Sequence, residues 1–214
     1  ELDAPPFHIY SVPVEGGGEP TPVLEDPIDS YAEAVSQDGR LMVVRQLDSD
    51  EKYKLGLLRL TGESEVTPLH ETQFTERFAT LSPDGRFIAY ESNETGRWEI
   101  FVQSFPQPGS RIQVTRDGGG APLWARNSDL FYWRGNQLVV VPVRTNPELI
   151  IGEPEALFVG RRYTTNLCRE YDVSDDGRRV IITRTPEGSR PREAQVVLNW
   201  FSELERLAGS DGAR

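Results

Sequence analysis

Ser82-Pro83-Asp84-Gly85-Arg86-Phe87-Ile88-Ala89-Tyr90 places an Asp-Gly pair just before four apolar residues. Glycine reaches positive φ without a steric penalty and aspartate folds back onto nearby amides, so the pair predicts a tight chain reversal. The run Phe87–Tyr90 is too short for a helix and apolar at every position, which predicts a strand covered on both faces. The phrase returns along the chain as AVSQDGRLMVVRQ from Ala34, LWARNSDLFYWRG from Leu123 and DVSDDGRRVIITR from Asp172. Aligned on Ser36, Ser82, Ala125 and Ser174, the copies lie 46, 43 and 49 residues apart.

A period of about 40 to 50 residues with several short strands per copy is that of a four-stranded propeller blade. Leu41–Val44, Leu130–Trp133 and Val180–Ile182 repeat the two-sided apolar strand of Phe87–Tyr90. Stacked blades cover both faces of such strands, whereas an open sheet facing water would alternate. A second strand follows each, clearest at Trp98–Phe105 and Gln137–Arg144, and Arg111–Thr115 reads as an outer strand. The third copy replaces Asp-Gly by Asn127-Ser128-Asp129; asparagine can also take positive φ, so the turn is expected to survive with altered geometry.

The fold class is therefore all-β: a β-propeller segment of about four blades of four antiparallel strands, with a short C-terminal helix. The expected division is an outer half-blade over 7–24, blades over 31–69, 78–115 and 121–159, an incomplete last blade over 170–200, and a helix over 201–208. Phe7–Val12 and Thr21–Leu24 form the half-blade, whose first strand pair is missing, so upstream sequence is expected. Gln195–Trp200 reads as a third strand, and Phe201, Leu204 and Leu207 recur at helical spacing before Gly209. The initial half-blade is a candidate for the strand that the last blade lacks.

The 214 residues include 19 Gly and 16 Pro, which favours frequent turns over long helices. The sequence has no transmembrane-length apolar run, and Glu1–Pro6 lacks signal-peptide features. Residues 1–76 hold 16 acids and 5 basic residues, and the net charge of −11 argues against nucleic acid or anionic lipid as partner. Arg161–Arg192 is locally Arg-rich but broken by Glu170, Asp172, Asp175, Asp176 and Glu187. It reads first as solvated blade edges, with an anion-binding patch as the alternative.

With these residues in view, Ser82–Arg86, Phe87–Tyr90 and Trp98-Glu99-Ile100-Phe101 resemble the WD40-like propeller repeat of TolB and its relatives. The resemblance covers nearly the whole chain, most specifically in the second repeat. Val196-Val197-Leu198-Asn199-Trp200-Phe201 through Leu204 is similar to the close of C-terminal propellers attached to bacterial receptor-type serine/threonine kinases. The resemblance implies an extracytoplasmic propeller joined through one transmembrane helix to a cytoplasmic kinase. The kinase's own motifs are absent from these residues, so no phosphoryl transfer is assigned to them.

Other chemistries find little footing. Cys168, the single cysteine, makes no internal disulfide and reads as a buried thiol. A hydrolase needs a Gly-x-Ser-x-Gly elbow and a triad histidine; the elbow is missing and the histidines are His8, on a predicted strand, and His70, in a loop. His70-Glu71 begins a zinc-protease pattern that Phe74 ends. Asp48, Asp50 and Glu51 form the densest acidic cluster, but Tyr53 stands where a calcium loop needs glycine. Gly16-Gly17-Gly18 and Gly118-Gly119-Gly120 match no phosphate-loop spacing and read as turns.

No catalytic, cofactor-binding or metal-ligating residue is assigned, and no cofactor is expected. The expected function is a non-catalytic binding or sensor module holding a protein or small ligand at a propeller rim. The rim loops are those around Ser36–Asp38, Ser82–Asp84, Asn127 and Ser174–Asp176, with the choice of rim open. Its rivals are the substrate-gating propeller of a prolyl-oligopeptidase-type peptidase, against which Leu207–Arg214 leans by resembling a chain end, and a TolB-like periplasmic interaction component. Open blade edges lead us to expect self-association or pairing of the two ends.

Overall fold

The computed structural model describes residues 6–15, 18–61, 65–107, 109–160, 169–175 and 177–183. The expected helix over 201–208, the strand Gln195–Trp200 and Cys168 lie outside them. Among the described residues every regular element is a strand, and every pairing is antiparallel.

β1 (Ile9–Ser11) and β2 (Thr21–Leu24) form a two-stranded sheet. β3 (Ser30–Val35), β4 (Leu41–Leu47), β5 (Tyr53–Arg59) and β6 (Val66–Pro68) pair in chain order, as do β7 (Glu76–Leu81), β8 (Phe87–Ser92), β9 (Glu99–Ser104) and β10 (Arg111–Gln113). The next sheet holds β11 (Gly120–Trp124), β12 (Asp129–Arg134), β13 (Gln137–Arg144), β14 (Ile150–Ile151) and β15 (Glu155–Val159). Its outer strand is split: β15 pairs with the start of β13 and β14 with its end. β16 (Tyr171–Val173) and β17 (Val180–Ile182) pair with each other.

Sheets stack through both faces, which explains the unbroken apolar runs. Every residue of β8 is buried. Ile88 and Tyr90 pack toward Val43 and Leu55 of the preceding sheet, while Phe87 and Ala89 pack toward Leu130, Tyr132 and Val139 of the following one. The same period-2 division puts Phe131 and Trp133 against Tyr171, Val173 and Val180. Met42 and Val44 pack with Ile9 and Leu24.

The turns at Ser36–Leu41 and Ser82–Phe87, between the first two strands of their repeats, share one design. The Ser82 amide donates to the Phe87 carbonyl and the Gly85 amide to the Ser82 carbonyl. Ser82 Oγ donates to Asp84 Oδ1 at 2.6 Å and accepts the Phe87 amide, while Asp84 Oδ1 accepts the Arg86 amide. Ser36–Leu41 repeats each of these bonds. Gly39, Gly85 and Gly177 lie at φ +67°, +69° and +67°.

The third turn survives with altered geometry. Ser128, rather than Asn127, takes the positive φ, at 71°. Ala125 has no hydroxyl, so Asn127 Oδ1 accepts the Asp129 amide instead. The Ala125 amide pairs with the Asp129 carbonyl, which closes the turn one residue earlier than in Ser82–Phe87. The outer strand expected over Arg111–Thr115 ends at Gln113, because Thr115 Oγ1 turns inward to accept the Ile100 amide and donate to the buried Glu99 carboxylate. The strand expected over Phe7–Val12 forms over Ile9–Ser11, so His8 precedes it.

Candidate functional site

The first strands β3, β7 and β11 each carry one extra residue against their partners, where the register shifts between Ala32 and Ala34, between Arg77 and Thr80, and between Gly120 and Leu123. Phe78 and Ala121 occupy these bulges at φ 55° and 51°. A bulge removes backbone groups from the ladder, and buried groups so released need partners. Side chains of other sheets supply them. Glu33 accepts from the Phe78 and Ala79 amides, Arg169 donates to the Phe78 and Ala79 carbonyls at 3.3 and 3.4 Å, and Tyr171 donates to the Ala121 carbonyl. Glu91, paired with Arg77, accepts from the Ala121 amide.

The bulges of β3 and β7 border a cavity of about 490 Å³ lined by Phe7, His8, Ile9, Tyr10, Ser30, Tyr31, Ala32, Glu33, Arg45, Phe78 and Arg169. It lies at the start of β3, the end away from the Ser36–Leu41 turn. Its floor is an ion pair: Arg45 Nε stands 3.1 Å from Glu33 Oε1, with side chains 2% and 7% exposed. The Arg45 guanidinium lies 4.6 Å from the Tyr31 ring centroid, 4.7 Å from that of Tyr53 and 5.5 Å from that of Phe78. Phe7 extends the aromatic wall, its ring 5.5 Å from that of Tyr31. Burial pushes the Glu33 carboxyl above its ordinary range, opposed but not cancelled by the charges of Arg45 and Arg169 and the Ala79 and Phe78 amides.

The turns named from the sequence lie at the other end of these strands. There Gln37 donates to the Pro83 carbonyl, Arg86 donates to the Thr145 carbonyl, and Arg126 pairs with Asp175 at 2.9 Å, both largely exposed. These contacts satisfy one another, and the cavity of about 440 Å³ beside the last of these turns is lined by Asp172, Val173, Ser174, Arg179, Val180 and Ile181, with no aromatic side chain among them.

The remaining candidates have structural surroundings. His70 Nε2 sits 2.9 Å from Glu76 Oε1, and Glu76 is buried. Asp48 Oδ1 accepts the Asp50 and Lys52 amides, which makes the acidic cluster a capped hairpin turn. Hydrogen bonds from those amides, with the charges of Lys54 and Lys52, outweigh the opposing effect of burial and hold the Asp48 carboxyl below its usual range. Among the described residues no group of three or more His, Cys, Asp or Glu is placed to hold a metal. The Gly118 amide already donates to both oxygens of Glu99, so an internal carboxylate occupies that glycine run.

Sequence reasoning missed Tyr31, Glu33, Arg45 and Arg169 as site residues. A signal was present. Counted back from the turn, the same position reads Tyr31, Arg77, Gly120 and Arg169 in the four repeats, so the repeats diverge in chemistry where the cavity forms.

No family model matches the chain, and no curated protein matches it. Solved structures do. A putative TolB from Agrobacterium tumefaciens superposes with a TM-score of 0.59 at 19% identity, over 74% of this chain and 59% of that one. TolB from Acinetobacter baumannii gives 0.57 at 18% identity, over 81% of this chain and 42% of that one. The fold is a TolB-like β-propeller. The chain spans about half the length of the TolB proteins it matches. The β-propeller domain of the Trilobed protease from Pyrococcus furiosus is a more distant match, with a TM-score of 0.34 at 16% identity over 61% of this chain and 58% of that one.

Proposed function

We propose that this chain is a non-catalytic binding module that holds a protein segment or small ligand in the cavity at the start of β3. The observation that carries this reading is the aromatic-walled cavity with a buried ion pair in its floor. Its volume falls in the range of ligand sites, and apolar walls with a few fixed polar groups are what such sites present. The similarity of Val196–Phe201 to kinase-linked propellers supports a place in the extracytoplasmic part of a serine/threonine kinase-like receptor. A second reading, a TolB-like periplasmic interaction component, is favoured by the superposition on two TolB structures. Among the described residues no helix is long and apolar enough to cross a membrane.

The test is selection of binders from a displayed random-peptide library, counter-screened on two variants. Ala32 is exposed and lines the cavity, so Ala32→Trp fills it from a strand that stays paired. Arg126→Gln changes the opposite end of the strands. Peptides that bind the wild type and Arg126→Gln but not Ala32→Trp are expected; binders indifferent to Ala32→Trp would overturn the cavity as the site. The reading frame around the segment separates the contexts: a kinase domain with one transmembrane helix upstream supports the receptor, and a Gly-x-Ser-x-Gly domain downstream overturns it.

A further inference from the structure

We infer that the cavity takes a carboxylate carried on an aromatic or apolar body, with Arg169 as its charged contact. The inference rests on the proposal above that the cavity is the binding site. Three observations carry it. The charged groups of the cavity are Arg45, Arg169 and Glu33, a local excess of one positive charge in a chain of net charge −11. Arg45 is committed: 1% exposed, it is held between rings and paired with Glu33. Arg169 is only half-buried and uses one terminal nitrogen on the Phe78 and Ala79 carbonyls, while its Nε is buried with no hydrogen-bond partner among the described residues.

Guanidinium presents its nitrogens in a fork that fits a carboxylate. The walls supply the rest of the recognition. Phe7 and Tyr10, both about half exposed or more, stand with Tyr31 and Phe78 around the opening, where an aromatic or branched side chain beside the carboxylate would pack. The long-range field of the chain repels anions, so a small hydrophilic anion gains little here, and the apolar body carries the ligand in. The Arg-rich stretch from Arg161 thus contributes Arg169 to the inside of a cavity as well as charges to blade edges. The ligand is either a peptide C-terminus or a free aromatic carboxylic acid.

The experiment titrates the full chain by calorimetry with N-acetylphenylalanine, N-acetylphenylalaninamide, the tripeptide Ala-Ala-Phe with a free or amidated C-terminus, and inorganic phosphate. The free acids are expected to bind at least about tenfold more tightly than the amides, the gap a charge-assisted hydrogen bond produces. Arg169→Gln should erase that gap and Arg169→Lys should keep part of it. If Arg169→Gln does not fold by circular dichroism, the acid–amide gap in the wild type and in Arg169→Lys decides. Tighter binding of the tripeptide acid than of N-acetylphenylalanine assigns a peptide end; equal binding assigns a small acid. Equal affinity of acids and amides, binding of none of the acids, or phosphate binding as tightly as the acids would each overturn the inference. Loss of acid binding in Ala32→Trp supports the cavity; acid binding that survives there overturns both the carboxylate assignment and the cavity reading, whereas an acid–amide tie blocked by Ala32→Trp overturns the carboxylate alone.

Discussion

The two ends of the inner strands are built in opposite ways. At the turn end, Ser36–Leu41 and Ser82–Phe87 close with the same bonds from the same side chains, and Ser174–Arg179 keeps the Ser174 backbone pattern. At the cavity end, the equivalent positions Tyr31, Arg77, Gly120 and Arg169 hold three different residue types, and charged side chains from one sheet satisfy the bulged backbone of another. Repetition holds the strands in register; its breakdown creates a place where a ligand can be distinguished. The difference also sets the energetic scale, since turn bonds are local and partly solvated while the cavity floor contains a charge pair out of water.

The largest effect is expected from breaking the floor. Glu33→Gln leaves the buried Arg45 without its carboxylate, a loss of about 3 kcal/mol or more by analogy with other broken buried pairs, measurable as a lower urea midpoint. Next comes Ser82→Ala, which removes the hydroxyl that bonds both Asp84 and the Phe87 amide and should cost about 1 kcal/mol. Ala125→Ser should gain nothing comparable, because Asn127 already holds the Asp129 amide in that shorter turn. A gain near 1 kcal/mol would show the turns to be interchangeable.

Ser128→Gly relieves a non-glycine residue at φ 71° and should stabilise by about 0.5–1 kcal/mol, while Gly85→Ala, with open space around its Cβ, should destabilise by a similar amount. Thermal unfolding of the two variants reads both signs. The smallest effect is the response to acid. Burial alone would raise the Asp84 carboxyl, but hydrogen bonds from Ser82, Thr145 and the Arg86 amide and the Arg86 charge hold it below its ordinary value. Its stabilising contribution is therefore present above the unfolded-state value near pH 4 and is lost as pH falls through the lower folded-state value. Asp84→Asn should flatten that part of the urea midpoint against pH, and a curve unchanged from wild type would contradict it. The third turn, with Asn127 in the corresponding place, has no such dependence to lose.

The repeat period, the Asp-Gly turns and the two-sided apolar strands were legible because each depends on neighbouring residues. Val180–Ile182, Gln137–Arg144 and Thr21–Leu24 form strands with the expected limits. Thr115 was misread because its β-branched side chain fits a strand as well as the cap over Glu99, and only the buried carboxylate decides between them. The altered third turn was legible, but its detail was not: asparagine tolerates positive φ better in isolation, while the shortened turn puts that requirement on Ser128. Site residues lay beyond local reasoning, since Glu33 and Arg45 sit on paired strands of one repeat while Arg169 and Phe78 come from others and join them only after the sheets stack.

The central claim is that ligand recognition belongs to the cavity end of the inner strands. The most direct measurement is a set of amide nitrogen–proton NMR spectra of the chain with and without a selected peptide. The account predicts shifts at Ser30–Glu33, Phe78 and Arg169 with Gln37–Gly39 and Asp84–Gly85 unmoved. Shifts confined to Gln37–Gly39, Asp84–Gly85 and Asn127 would place binding at the turn end and contradict it.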